Sequence, residues 1–583
     1  METVVEKKVC RFCNQWFEIT DADRAFYEKV SPVFAGKRCF VPSPTLCPSC
    51  RMQRRQTFRS ERKLFKSTCQ ATQKDILSIY PPTSKVTVYE QNYWWSDSWD
   101  PKKYAREYDF SKPFFEQFQS FLQEIPLPNL MNFDVENAQY ANLINDAKNC
   151  YLTFASGWIE DAYYCYWVYK VKNCFDCSFC YKGENSYGCL DCEDFYSAVV
   201  CTNCKNIAQC SYCTDCRDCS DCVGCVGISW KKFHIFNVEF SKEDYAEKRK
   251  NLSFEQIENE VSRLKQEIPQ RENRNRNNEN CTGEYIRNSK NITEGFDIED
   301  CQDGKYISFT IWCKDGYDLS NTGVENLVYE SSSGGYYNHV LFSTACAYLD
   351  RSLYCFLCSH VQDSFGCIWL KNAQYHIFNT PYSKEEYEAL VPKIIDHMKE
   401  TQEWGEFFPS SISPFGYNHT VAIEYFPMTP LSLRNPLPKA EESRTLYQVY
   451  LSPPPLGEVG WGLFTWSDYE TPFPKIEKTI FASDIPKDIL KIPKDILHRA
   501  IICSESQKPF KILEKELAFY KAHNISIPRL HPEKRHESRL KQRNSWNTHG
   551  IECKNCHSKI FFWGNSLFRK YILCENCYEK KLH

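Results

Sequence analysis

Cysteine is the residue best able to do chemistry in this chain, at 33 of 583 positions, and its spacing separates two uses. At the front, Cys10-x2-Cys13 is followed after 33 residues by Cys47-x2-Cys50; at the rear, Cys553-x2-Cys556 is followed after 17 residues by Cys574-x2-Cys577. Two such knuckles supply four thiolates, which satisfy tetrahedral zinc and leave no position open for a water nucleophile. Both sets therefore read as structural zinc sites, with no catalytic role for any of the eight residues.

The second use is the run "CSYCTDCRDCSDCVGC" over residues 210–225, with a cysteine at every third position. Thiols so arranged could be iron–sulfur ligands, a redox ladder or packing material. In steps of twelve, Cys165, Cys177, Cys189, Cys201, Cys213 and Cys225 form one column, with Cys180, Cys192, Cys204 and Cys216 three residues later. Three residues earlier stand Ala162, Cys174, Ser186, Ala198, Cys210 and Cys222, all small. A strict twelve-residue period is the mark of a β-solenoid with one coil per repeat. The small columns should face inwards, in a coil too tight for leucine or phenylalanine. The Asn and Asp of the column Asp161, Asn173, Asn185, Gln209 and Asp221 suit its corners, between flat sheet sides.

The elements that carry these columns are duplicated. "HIFNVEFSKEDY" (234–245) recurs as "HIFNTPYSKEEY" (376–387), and the same offset of 142 pairs Cys204, Cys213, Cys216 and Cys225 with Cys346, Cys355, Cys358 and Cys367. The second copy reads Ser352, Cys355, Cys358, Val361, Ser364 and Cys367 where the first has its six-cysteine run. Serine and valine replace cysteine as fillers but not as thiolate ligands, so the run reads as packed free thiols. An iron–sulfur or redox enzyme, whose thiolates must converge on one point, is the lower alternative. Each copy closes with a polar helical pattern capped by Ser241 or Ser383. His234 and His376 sit at equivalent closing positions and read as core or cap.

The termini form a second duplicated pair. "FEITDADRAFYEK" (17–29) resembles "FKILEKELAFYKA" (510–522), and "PTLCP" (44–48) matches "PRLHP" (528–532) at an offset of 484, which also aligns Cys69 with Cys553 and Tyr93 with Cys577. The parent module thus had two knuckles; the front copy keeps the first and the rear copy the second. Cys503 and His531 remain from the rear module's first knuckle, with Ser506 and Lys534 at its other positions, while Cys39 and Cys69 read as bystanders.

The fold class that follows is multidomain and mainly β with helical segments, zinc ribbons at both ends flanking two cysteine-rich solenoids of twelve-residue coils. The expected boundaries are residues 1–100 for the front ribbon module, 140–268 and 290–405 for the solenoids with closing helices, and 500–583 for the rear module. Residues 269–289, with "QRENRNRNNEN", read as a polar, mobile linker, and 406–499 as a proline- and aromatic-rich extended connector. "YWWSDSWD" (93–100) reads as a hydrophobic plug between domains.

Next to the front ribbon lies "RMQRRQTFRSERKLFK" (51–66). Its Arg51, Arg54, Arg55, Arg59, Arg62, Lys63 and Lys66 form a basic helix, echoed by Arg535 and Arg539 at the rear. Such a helix beside a ribbon can grip phosphates, which points to RNA or an RNA–protein particle as partner. The alternative is that these charges answer acidic groups of the chain itself, whose net charge is only −4. No run of 18 apolar residues and no apolar leader core is present, so the expected setting is the cytoplasm, with reduced thiols.

"FEIT…FYEKVSP", "PSPTLCPSCRMQRR", "YEQNYWWSDSWD", "HIFN…YSKEEY" and "LAFYKAHNISIPRLHPEKRH" together resemble a family of cysteine-rich zinc-ribbon and β-solenoid proteins of reduced-genome, candidate-phylum bacteria. The resemblance spans nearly the whole chain and implies no activity. A CaiB/BaiF-type CoA-transferase label borne by some members would imply a catalytic aspartate in a large α/β domain, and no such organisation is visible here. The leading expectation is a non-enzymatic zinc-binding scaffold contacting RNA through its ribbon modules and basic helices. A protein–protein assembly platform using the solenoid faces is the alternative.

Overall fold

The structure is a computed structural model; it describes residues 2–320, 323–326, 328–429, 464–472, 476–544, 546, 549–563 and 571–582. The proline-rich centre of the expected connector lies outside these residues. The chain divides into two units, one built from residues 1–130 and 274–469, the other from 131–273 and 470–583. Each unit is one solenoid plus one terminal module, and in each the module comes from the far end of the sequence.

In the second unit ten strands run in sequential order from Phe133–Gln139 to Val238–Glu239, parallel except for the closing pair. The register steps by twelve, as in Tyr166↔Ser178 and Phe175↔Tyr187. The first unit repeats this with nine strands from Glu279–Arg287 to Lys371–Gln374. The twelve-residue coil read from the sequence is therefore the coil that forms.

Its shape differs from the expected flat-sided one. Tyr164, Trp167, Lys170, Asn173, Asp176, Phe179, Lys182 and Asn185 all have φ between 50° and 58°. The chain turns through a left-handed residue at every third position, four times per coil, because so short a ring cannot close on a single corner. Asn and Asp tolerate this conformation, but Trp167 and the β-branched Val200 (φ 53°) adopt it too, at about 1–2 kcal/mol each. The offset is the coil-to-coil ladder, for example Asp176 N–H to the Tyr163 carbonyl at 2.9 Å. Side chains extend that ladder where asparagines stack: Asn173 Nδ2 donates to Asn185 Oδ1 at 2.8 Å and Asn338 Nδ2 to Asp350 Oδ1 at 2.8 Å.

One residue per triplet points inwards. In the first solenoid these are the thiols with Ile144, Ile159, Val168, Val171, Phe195 and Ile207; in the second, Ile298, Leu319, Tyr337, Leu349 and Leu370 join them. Large side chains are thus admitted, contrary to the expectation of small fillers alone. They fit because a glycine gives way: a Cβ on Gly183, one coil earlier, would overlap the Phe195 ring, and one on Gly334, three residues earlier in the same coil, the Tyr337 hydroxyl.

Each solenoid end is sealed by an asparagine side chain. Asn132 accepts from Ile144 N–H and donates to the Ala141 carbonyl (3.3 and 3.0 Å), while Asn275 does the same with Ile286 and Gly283 (2.9 and 3.1 Å). At the other ends, the asparagine of each "HIFN" bonds both backbone groups of one residue, Asn237 with Val226 and Asn379 with Ile368. The expected mobile linker is therefore the cap of a coil. His234 and His376 are buried, each with Nδ1 2.8 Å from a backbone carbonyl, Lys232 or Gln374.

The closing helices form where their caps predict. Ser383 and Glu386 make a capping box on Lys384–Glu400. The first copy's helix is split into Lys242–Lys250 and Phe254–Glu267, the latter started afresh by Ser253. In the first unit Trp94 is fully buried and stacks on Trp369, with its indole N–H on the Pro126 carbonyl at 2.9 Å, so the aromatic plug is real. In the second unit "IPKDILKIPKDIL" supplies Ile485, Ile489 and Ile496 to a core with Tyr164, Phe175, Phe519 and Tyr520, each aliphatic side chain worth about 1.5–3 kcal/mol when buried.

Candidate metal centres and arginine docking sites

Two groups of four thiols, Cys10/Cys13/Cys47/Cys50 and Cys553/Cys556/Cys574/Cys577, have all their Sγ atoms within 4.8 Å of one another. Each group is assembled in the same way. The first pair lies in the turn after a strand, Val4–Val9 or His549–Glu552, and the second pair opens a helix, Pro48–Gln56 or Glu575–Leu582. Helix N-termini favour thiolates through their free N–H groups. Cys10 Sγ accepts from Cys47 N–H and Cys553 Sγ from Cys574 N–H, both at 3.3 Å. Sulfur–sulfur contacts of 3.8 Å (Cys13–Cys47) and 3.7 Å (Cys556–Cys574) leave room for a four-sulfur shell around one ion. Burial works against the Cys553 thiolate, but N–H bonds from Cys556 and Cys574 outweigh it and bring its pKa down to about 6. At the front, bonds from the neighbouring thiols hold Cys10 well below the usual thiol range.

The two knuckles that lost their ligands keep their backbone. In all four, the residue after the second position is left-handed: Asn14, Gln73, Gln507 and His557 have φ of 57°, 59°, 56° and 58°. In all four its N–H returns to the carbonyl at the first position: Cys10, Cys69, Cys503 and Cys553, at 2.9, 2.8, 3.2 and 3.0 Å. The surviving thiol becomes an acceptor, Cys69 from Thr72 and Glu90 N–H (3.4 and 3.2 Å) and Cys503 from Ser506 and His531 N–H (3.4 and 3.2 Å). Glu90 and His531, at the third ligand position, turn into helix caps: Glu90 accepts from Asn92 and Tyr93 N–H, and His531 Nδ1 from Glu533 N–H. Cys69 is thus the remnant of a knuckle rather than a bystander.

The cysteine run packs differently: among the described residues its thiols form no group like these two. All six thiols are buried and free. Cys213 Sγ bonds the carbonyls of Ser211 and Cys222 (3.5 and 3.6 Å), and Cys216 those of Thr214 and Cys225 (3.4 and 3.5 Å). A hydroxyl can make the first of these bonds, as Ser364 does to the Gln362 carbonyl at 3.0 Å in the second copy.

The expected phosphate-binding helix must be corrected. Arg51, Arg54, Arg55 and Arg59 are at most 4 % exposed. Arg51 Nε donates to Asp318 Oδ2 at 2.7 Å, Arg55 Nη1 lies 3.4 Å from the other Asp318 oxygen, and Arg54 bridges Glu330 (2.6 Å) and Glu406 (2.9 Å). Arg59 pairs with Glu61, and half-buried Arg62 with Glu424 at 3.2 Å. Lys63 is half-buried; Lys66 alone of the set is exposed. Arg535 pairs with Asp176, and Arg539 donates to Asp176 at 2.8 Å and to Ser178 Oγ at 3.0 Å. The charges do answer acidic groups of the chain itself, since a guanidinium leaves water at tolerable cost only when paired. Burial pushes Glu330 up to about 7, against the pull of Arg54 and Arg55.

The acidic partners were missed in the sequence although a signal was there. Asp176 and Asp318 are 142 residues apart, the offset of the solenoid repeat, and each receives the arginines that the 484-residue offset makes equivalent. No protein-family model matches the chain, and no curated protein matches it either. Among the described residues no helix is long and apolar enough to cross a membrane.

Proposed function

We propose that the protein is a zinc-stabilised scaffold whose solenoids hold partner molecules on their outer faces, with no chemistry at its metal centres. The observation that carries this reading is the gathering of four thiols within 4.8 Å in each group, since four thiolates would fill a tetrahedral shell and leave no position for substrate or water. Zinc is the ion of choice, because four thiolates in a tetrahedral shell suit it and it needs no redox partner. The assembly-platform form of the scaffold is favoured over RNA contact, because Arg51, Arg54, Arg55, Arg535 and Arg539 are spent on internal carboxylates and offer nothing to a phosphate.

Elemental analysis of protein purified without air tests the reading. Two zinc per chain with no iron or acid-labile sulfide supports it. Iron with sulfide, or more than two metals per chain, would return the thiol run to the role of ligand and overturn it. For the partner class, Arg51→Ala should lower stability without creating or abolishing a salt-sensitive RNA complex, whereas loss of such a complex in a still-folded variant would restore the RNA reading.

A further inference from the structure

The first solenoid has four columns of left-handed corner residues, and they are not used alike. The module occupies the columns of Asp176 and of Phe179 and Asp191, where Arg535, Arg539 and Arg543 dock. The column Lys170, Lys182, Asp194, Asn206, Asp218 instead lines an open cavity of about 640 Å³, shared with Lys172, Glu184, Tyr196 and Ser220 from the adjacent side. The lysines are exposed, as are Glu184 and Tyr196.

Three properties of this groove define what fits. It runs along the coil stack, so its groups recur with the rise of one coil, about 4.8 Å, and a linear ligand of short repeat is matched better than a compact one. Its rim is polar and of both signs, graded along the axis, above a lining that includes Phe195, Ile207, Ala208 and Cys219. Cations stand at one end, where Lys170 has no carboxylate partner among the described residues and lies over the Trp158 and Tyr181 rings (5.9 and 5.4 Å). Acceptors stand at the other, with Asn206 Nδ2 on Asp218 Oδ1 at 2.6 Å. Flat rings flank it, Tyr196 at 48 % and Trp158 at 51 % exposure. A nucleic acid would bring a phosphate to every repeat and meet Glu184, Asp194 and Asp218; an apolar peptide would have to desolvate the charged rim of Lys170, Lys172, Lys182, Glu184 and Asp194.

We infer that this groove binds a linear oligosaccharide bearing a carboxylated sugar. The carboxylate sits on Lys170, beside Lys172 and Lys182, whose exposed pairs with Glu160 (2.9 Å) and Asp194 (3.6 Å) are weak enough to share; neutral sugars bond through their hydroxyls to Asn206 and Asp218, and a pyranose face lies on Tyr196. This makes the first solenoid, rather than the metal modules, the ligand-binding part of the scaffold.

Calorimetric titration of the full-length, metal-replete protein tests this with a hyaluronan tetrasaccharide, in which carboxylated and neutral sugars alternate, against neutral chitotetraose. Saturable binding of the first, at least tenfold weaker for the second, is expected. Lys170→Ala with Lys182→Ala should lower affinity at least tenfold and Tyr196→Ala at least threefold, while Lys148→Ala, outside the groove, changes nothing. Unchanged metal content and melting temperature certify that each variant is folded. No saturable binding of the tetrasaccharide, equal affinity in the double lysine variant, or an RNA oligonucleotide bound through the same lysines with no sugar bound would each overturn the inference.

Discussion

The two units solve one docking problem with different inventories. In both, a helix that follows the first knuckle position brings two arginines, one turn apart, onto a single aspartate at a solenoid corner: Arg51 and Arg55 on Asp318, Arg535 and Arg539 on Asp176. In both, the preceding helix brings a buried acid to a side chain of the solenoid. Asp23 receives Lys305 at 3.0 Å, and Glu516 receives the hydroxyls of Tyr164 (2.9 Å) and Tyr520 (2.7 Å). The metal groups are not shared in this way, since the first unit keeps its first knuckle and the second unit its second. Metal and docking are therefore separable. A knuckle can lose three of its four ligands and keep its turn, because a left-handed residue and backbone bonds hold it, whereas the arginine–aspartate contact is present in both units.

The largest effect that could break this comparison is metal removal. Structural zinc contributes on the order of 10 kcal/mol to folding a small ribbon. Cys10→Ser and Cys553→Ser should each lower metal content from two ions to one per chain, with faster amide exchange confined to the corresponding module. Faster exchange in both modules from a single substitution would show that the sites are not independent.

Next in size is the arginine contact. Removing one partner of a buried ion pair costs about 3–5 kcal/mol, so Asp318→Ala and Asp176→Ala should each lower stability by that amount in denaturant unfolding. A change below about 0.5 kcal/mol for either would place that contact among surface pairs. Glu330, which only the first unit uses, sharpens the contrast. Its raised pKa means that the folded state keeps a proton the unfolded state has lost between about pH 4.5 and 7. Stability from this group therefore falls as pH rises through that window, by up to about 3 kcal/mol. Glu330→Gln should flatten that slope in the first unit and leave the second unchanged, as read by unfolding of each unit from about pH 5 to 8.

The smallest effect belongs to the thiol run. Cys210→Ser and Cys222→Ser copy Ser352 and Ser364, whose hydroxyls bond carbonyls two residues back at 3.0 Å each, so each should cost only about 1 kcal/mol and leave metal content at two. Loss of an ion in either variant would reverse the assignment of those thiols to the core.

Periodicity made the solenoids legible, because a twelve-residue column of cysteine survives any choice of alignment, and the Cys-x2-Cys pairs named their own partners. The four-cornered coil was not legible: a left-handed Trp167 or Val200 runs against local propensity and exists only because the neighbouring coils bond it in place. Charge pattern misled for a related reason. Seven basic residues within sixteen resemble a solvated face, and nothing local tells that Asp318 and Glu330 lie opposite. The Phe114–Glu124 helix carried a readable signal, Phe114, Phe118, Phe121 and Leu122 at helical spacing, and all four are buried. The single-asparagine coil caps had none, since Asn132 and Asn275 look like any loop asparagine.

The separation of Arg51 from Asp318, 267 residues along the chain, sets a timetable for synthesis. At about 5–20 residues per second the front module leaves the ribosome roughly 10–50 s before its docking surface exists. The rear module emerges after Asp176 has been laid down. One end of the protein is therefore made with its guanidinium groups still in water, while the other can dock as it is made. The four thiols of Cys10, Cys13, Cys47 and Cys50 are all laid down within the first fifty residues, long before Asp318.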